Sequence, residues 1–268
     1  MPAPTPAQQA LIDAAKRTLQ SDPRIQSAWL SGSLASGEGD EWSDVDLIAV
    51  TEEGALPGVL RDYGGDFSSI ASAVHSFTLF GRVVSAVTAD WGRLDILLLT
   101  PAELATRSPD TTRQLFARAG AAVPEGSVPA PRAATDAEVA GLIREFIRVL
   151  GLAPVVVNRG DYVIGVDGAM LLRTMLIDLM LAEQGRSRSE RSVKRVTQML
   201  SAEQIGALQA LAPIAANRNS LIEAHRALAA LFLPRAKALT EQRGIAWPAD
   251  FEAATRTHLS RALELDLP

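Results

Sequence analysis

Residues 123–134 (VPEGSVPAPRAA) hold three prolines and a glycine among few large apolar groups. Proline fixes φ and has no amide donor, so neither a helix interior nor a central strand runs through such a stretch. The patterns on its two sides differ. Before it, helix and strand signals alternate; beyond it nearly every segment reads as helix, with no strand signal of comparable strength after residue 164. The expected fold class is α+β: a mixed-sheet domain over residues 1–125, then an all-helical domain over residues 135–268. No internal repeat is found.

In the first half, residues 5–19 place Leu11, Ile12, Ala15 and Leu19 at helical spacing behind a Thr-Pro start. Residues 25–30 read as a short strand, 31–36 as a Gly/Ser-rich turn, and 45–50 as a buried strand that residues 54–57 end. Val59 and Leu60 fall in a less regular connection, and Tyr63-Gly64-Gly65 reads as a turn. Two β-rich runs, 82–88 and 93–100, flank Ala-Asp-Trp-Gly and predict a hairpin, with Gly92 supplying the positive φ. Residues 102–119 read as helix. In the second half the spacing predicts helices over 136–150, 168–183, 219–240 and 251–265. The first of these has Thr135 as N-cap and Glu138 three residues on, and Trp247-Pro248 leads into the last.

Charge narrows the partners. The net charge is −5, with 9 Lys+Arg against 16 Asp+Glu in residues 1–129 and 17 against 15 in residues 130–268. A nucleic-acid binder neutralises phosphates with a basic surface, and neither half has a large one, so duplex nucleic acid is not an expected partner. There is no cysteine, which excludes disulfides, zinc-thiolate sites and cysteine nucleophiles. No apolar run approaches the ~20 residues of a membrane span; the longest, 221–233, is interrupted by Glu223, His225 and Arg226. The first nine residues do not read as a signal peptide. A cytoplasmic protein with no membrane partner is the expectation.

The chemistry concentrates in residues 30–50 (LSGSLASGEGDEWSDVDLIAV). Gly32-Ser33 follows a strand and opens a helical turn, where backbone N–H groups are free and a glycine admits a phosphate. Asp44 and Asp46 flank Val45 at a strand start, so period two puts both carboxylates on one face and Val45 in the core. Two adjacent carboxylates repel, and a hard divalent cation between them removes the cost. Asp95, a lone acid in the aliphatic run 93–98, also needs a partner. A neighbouring strand can bring it to the same metal; the alternative is a strand-edge acid facing water. Asp90, in the turn, is the nearest competitor.

Gly-Ser, a short spacer, Asp-X-Asp and a later strand Asp resemble the signature of the polymerase-β-type nucleotidyltransferase superfamily. The mixed domain followed by helices is similar to the antibiotic nucleotidyltransferases that adenylylate aminoglycosides or lincosamides. The motif resemblance covers roughly residues 25–100, and helical content, Arg159 to Tyr162 and the closing Trp-Pro helix extend it weakly. It implies transfer of a nucleoside monophosphate, AMP from ATP, to an acceptor hydroxyl with release of pyrophosphate. It also implies that Asp44, Asp46 and Asp95 hold two Mg2+ ions while Gly32 and Ser33 hold the triphosphate. The −7 balance of the first half accords with neutralisation by metal.

Other residues have weaker patterns. Arg186, Arg188, Arg191, Lys194 and Arg195 form the one basic cluster; Lys194 is the choice to reach the triphosphate, against a solvated helix face for the whole group. Asp161 and Asp167 are alternatives for a general base, or helix caps. Ser43 can support the Asp pair through its hydroxyl, while Ser36, Glu38, Asp40 and Glu41 read as solvated. His75, His225 and His258 have no ligand spacing. The second half is slightly basic and has no acidic cluster, which predicts a neutral or singly charged small hydroxylated acceptor, expected in a cleft between the domains. A rival reading is a nucleotide-binding protein without turnover, a sensor or a partner of another protein. Retention of all three carboxylates argues for transfer.

Overall fold

The computed structural model describes residues 3–130, 132–187 and 196–267. Two compact units make up the chain, Met1–Pro129 and Ala130–Pro268. The first is a mixed sheet with short helices and the second is helical, as the α+β reading expects.

The first unit opens with α1 (Pro6–Ser21), started by a capping box between Thr5 and Gln8. There follow β1 (Ile25–Ser31), the single-turn α2 (Gly32–Ser36), β2 (Val45–Thr51), α3 (Leu56–Gly65), β3 (Ala73–Leu79), β4 (Val83–Thr88), β5 (Arg93–Leu99), α4 (Pro101–Ala105) and β6 (Arg113–Ala117). The sheet order is β3-β4-β5-β2-β1-β6. Only β2 and β5 run parallel; the remaining neighbours are antiparallel. One face buries Leu30, Val45, Leu47, Val84, Leu94, Ile96 and Leu98 with Ile12 and Leu19 of α1 and Val59 and Tyr63 of α3. On the opposite face, Leu104 of α4 joins Trp29, Ile48, Val50 and Leu99.

Three local expectations are corrected, and one strand, β3, has no sequence signal. Residues 56–65 are helical rather than irregular, with Pro57 in the first turn where its missing N–H costs nothing; the Tyr63-Gly64-Gly65 segment is the end of that helix. Strand β3 carries no buried alternation because it is an edge strand, exposed along most of its length. The helix expected over 102–119 stops after five residues. Ser108 precedes Pro109 and is extended (ψ 135°), the conformation proline imposes on its predecessor, and 113–117 then pair with the free edge of β1. In the β4–β5 hairpin the left-handed residue is Trp91 (φ 62°), not Gly92. Gly92 is required for space instead, since a Cβ there would lie 2.7 Å from Thr88 Oγ1 and 3.1 Å from Leu11 Cδ1.

The second unit comprises α5 (Asp136–Leu150), α6 (Ala153–Asn158), α7 (Tyr162–Glu183), α8 (Val196–Met199), α9 (Ala202–Gln209), α10 (Arg218–Arg243) and α11 (Ala249–Leu263). The cap of α5 forms as the spacing predicts: Thr135 accepts from the Glu138 N–H, and the Glu138 side chain returns to the Thr135 N–H. Its face Val139, Ile143, Phe146, Ile147 and Leu150 is buried throughout. Phe146 stacks on Phe232 of α10, ring centroids 3.6 Å apart and nearly coplanar in tilt. The entry to α11 is fixed by Glu252, which accepts from Trp247 Nε1 at 2.7 Å, Arg256 Nε at 2.8 Å and Lys237 Nζ at 3.1 Å. Burial pushes that carboxyl up, but the three donors outweigh it and hold it below the ordinary carboxylate range. Among the described residues no helix is long and apolar enough to cross a membrane.

His225 lies in this core with its Nδ1 2.7 Å from the Leu221 carbonyl oxygen. Burial, only partly opposed by that hydrogen bond, holds its pKa below the ordinary 6.5. The unfolded chain therefore takes up the proton first as pH falls. The contribution is fully present above 6.5 and is lost below it, towards the folded pKa, with a slope of up to about 1.4 kcal/mol per pH unit. Denaturant titrations at about pH 7 and pH 5.5 should show this loss, and His225→Leu should flatten it. An unchanged slope in the variant would assign the acid sensitivity elsewhere.

Candidate active site

Asp44 immediately precedes β2, Asp46 is the second residue of that strand, and Val45 between them is fully buried. The parallel register pairs Asp46 directly with Asp95 of β5. By period two both side chains stand on the face that also carries Ile48, Val50 and Leu99. Leu104 packs near the C-terminal ends of β2 and β5, whereas the carboxylates stand at their N-terminal ends. One oxygen from each of Asp44, Asp46 and Asp95 lies within 4.8 Å of the others, and all three residues are partly buried. Asp95 is not a strand-edge acid, because β5 is enclosed between β4 and β2.

This donor set fits a hard cation. It offers only carboxylate oxygens, and three acids so close repel one another in the absence of positive charge. Asp90, by contrast, belongs to the turn: it accepts from the Thr88 hydroxyl, which holds its carboxyl below the ordinary range.

Gly32 stands against the same cluster. Its φ is 64°, a left-handed conformation, and a Cβ placed on it would lie 2.0 Å from Asp46 Oδ2. The glycine is needed for the turn from β1 into α2 and for the approach of the Asp46 carboxylate. That approach follows from register, since the preceding Ser31 pairs with Asp46. Ser33 is half-buried in α2, and Ser31 caps that helix without a side-chain hydrogen bond.

The loop from α2 to β2 is anchored from a distance. Gln8, buried in α1, donates through Nε2 to the carbonyl oxygens of Asp40 and Ser43, both at 2.9 Å. Its Oε1 accepts from the Thr5 N–H, so one side chain caps α1 and holds the approach to Asp44. Gln8 has no sequence signal beyond the capping-box spacing. The Ser43 hydroxyl supports this loop rather than the Asp pair, bonding Asp40 Oδ1 at 2.9 Å. Glu38, Asp40 and Glu41 are exposed and Ser36 half-buried.

In the second unit Asp161 occupies the N-cap of α7 with no side-chain capping bond, and both it and Asp167 are exposed. Arg186 is half-buried; Arg188, Arg191, Lys194 and Arg195 lie outside the described residues.

Residues 12–70 match the family model of the nucleotidyltransferase domain. The match spans Gly32, Ser33, Asp44 and Asp46 and ends before Asp95. No curated protein sequence matches the chain. Among solved structures, an aminoglycoside 6-adenyltransferase from Bacillus subtilis is similar at 16% identity with a TM-score of 0.44, covering 94% of this chain and 97% of its own. A nucleotidyltransferase-like protein from Exiguobacterium sibiricum is similar at 12% identity with a TM-score of 0.30, covering 96% and 88%. The segment that resembles a nucleotidyltransferase domain is thus the one that carries Gly32, Ser33, Asp44 and Asp46, and the sheet register adds Asp95 to them.

Proposed function

We propose that the chain transfers AMP from ATP to a hydroxyl of a small acceptor and releases pyrophosphate, with Asp44, Asp46 and Asp95 as its catalytic, metal-holding residues. The observation that carries this reading is the convergence of three carboxylate oxygens from two parallel strands within 4.8 Å. Bound there, two Mg2+ ions supply positive charge to the triphosphate and Lewis-acid activation to the attacking oxygen. The chain's part is placement. Strands β2 and β5 fix the carboxylates, Gly32 leaves room for Asp46, and Gln8 holds the loop that delivers Asp44. The backbone N–H groups at Gly32 and Ser33 face the triphosphate in this reading. The acceptor oxygen forms a bond to the α-phosphorus as the bond to pyrophosphate breaks, and the hydroxyl proton leaves to a base.

The second unit serves as the acceptor-binding part, and its charge pattern points to a neutral or singly charged compound such as a sugar, nucleoside or lincosamide-like polyol. At least seven of its acids are already committed to Arg or Lys inside the unit: Asp136, Glu138, Glu145, Glu183, Glu203, Glu223 and Glu252. A polycationic acceptor needs uncommitted carboxylates. Labelled ATP and Mg2+ incubated with aminoglycosides, lincosamides and neutral polyols should yield a nucleotidylated product in the neutral set. Efficient modification of an aminoglycoside, falling steeply with salt, would refute the charge argument. ATP binding with no pyrophosphate release across the panel would favour a nucleotide sensor.

A further inference from the structure

The row of residues crossing the sheet at the carboxylates extends beyond them. Ser85 of β4 pairs with Asp95, Asp95 with Asp46, and Asp46 with Ser31 of β1. Residues opposed in a ladder share a face, so the two acids are flanked on either side by a hydroxyl. Ser85 is 4% exposed, and its Oγ has no hydrogen-bond partner among the described residues. A buried hydroxyl is normally satisfied; the other inward serine of this face, Ser27, accepts from Trp29 Nε1 at 3.0 Å. Ser85 lies in the run Val83–Thr88, where Val or Ala at its position would pack without this cost.

Cross-strand neighbours have Cβ atoms about 4.5–5.5 Å apart. A serine hydroxyl and an aspartate carboxylate reach across that gap by side-chain rotation alone. A carboxylate that ligates a cation with one oxygen has its other oxygen free to accept, and such outer hydrogen bonds fix the ligand's orientation. We propose that Ser85 is a positioning residue for Asp95: its hydroxyl donates to the Asp95 oxygen turned away from the cation when the site is loaded. This rests on the reading of the three aspartates as a metal site. It explains why a polar group is retained, unpartnered, in a strand that otherwise buries aliphatics.

The test is Mn2+ binding to the full-length chain, read from the loss of the free-ion electron paramagnetic resonance signal, with metal-free and metal-loaded melting midpoints recorded in parallel. Ser85→Ala should weaken Mn2+ binding by about tenfold, and Ser85→Thr, which restores the hydroxyl on a strand-compatible side chain, should recover most of it. The metal-free midpoint of Ser85→Ala should hold or rise, because removing an unpartnered buried hydroxyl relieves a cost. Asp95→Asn separates the two ideas. If Asp95→Asn loses Mn2+ binding while Ser85→Ala binds like the native chain, the Ser85 role is wrong and the metal site stands. If the native chain and Asp95→Asn respond to Mn2+ alike, the metal-site reading falls and takes the Ser85 role with it. A metal-free midpoint that drops in Ser85→Ala would make the hydroxyl a structural group and overturn the proposal.

Discussion

Asp44→Asn and Asp46→Asn should each lower nucleotidyl transfer by on the order of a thousandfold or more, because charge neutralisation at the phosphates is most of what such a site contributes. The fold should survive. Val45 between them is buried with the core on the other face, and neither aspartate side chain is part of that packing. A cooperative metal-free melting transition in each variant, recorded beside turnover, checks that the fold is kept. ATP with Mg2+ should stabilise the native chain by mass action, about 2.7 kcal/mol at a hundredfold excess over Kd. Excess chelator, or either Asn variant, should remove most of that gain. Near-native turnover in either variant would dismiss the three-aspartate site.

The second large effect concerns Gly32→Ala, where two separate penalties coincide. An L-residue at φ 64° costs about 1–2 kcal/mol. The added methyl would also lie 2.0 Å from Asp46 Oδ2, so the carboxylate or the turn must move. A displacement of about 1 Å at a reacting centre can cost about a hundredfold in rate. Gly120→Ala is the control: φ there is 76°, and a Cβ would meet nothing within 4 Å. Both variants should lose comparable stability through the backbone, but only Gly32→Ala should lose turnover and Mg2+ response. Equal activity in the two would mean that Asp46 has no role in transfer, or that its position against Gly32 is immaterial.

Much of the site is local, and local features are legible in order along the chain. Gly32-Ser33 and Asp44-Val45-Asp46 carry their meaning within 15 residues. Period two alone separates the two carboxylates from Val45, whatever the rest of the fold does. The capping box at Thr135–Glu138 is equally self-contained, since it depends on contacts within four residues, and the apolar stripe of α5 is legible from its helical period. The proline-rich stretch at 123–134 separates a mixed segment from a helical one because proline's covalent geometry acts wherever it stands.

What remained illegible depends on partners distant in sequence. Strand β6 has a short sequence compatible with helix, and it becomes a strand because β1 offers an unpaired edge about 85 residues earlier. Edge strand β3 is recruited the same way by β4, and its exposure erases the alternation that would have announced it. Trp91 rather than Gly92 takes the left-handed position, and Gly92 is a glycine because a side chain there would meet Thr88 and Leu11 of α1, a contact no hairpin rule contains. Gly32 likewise has a requirement that only distant pairing reveals: its missing side chain accommodates Asp46, as fixed by the β1–β2 register. The amino-acid sequence by itself determined which residues could do the chemistry, because residue type and short-range period are written along the chain. Only the tertiary structure decided that Asp95 stands beside Asp46, that Gln8 holds their loop and that Ser85 closes the row, because hydrogen-bond register between strands is a property of paired segments rather than of either one alone.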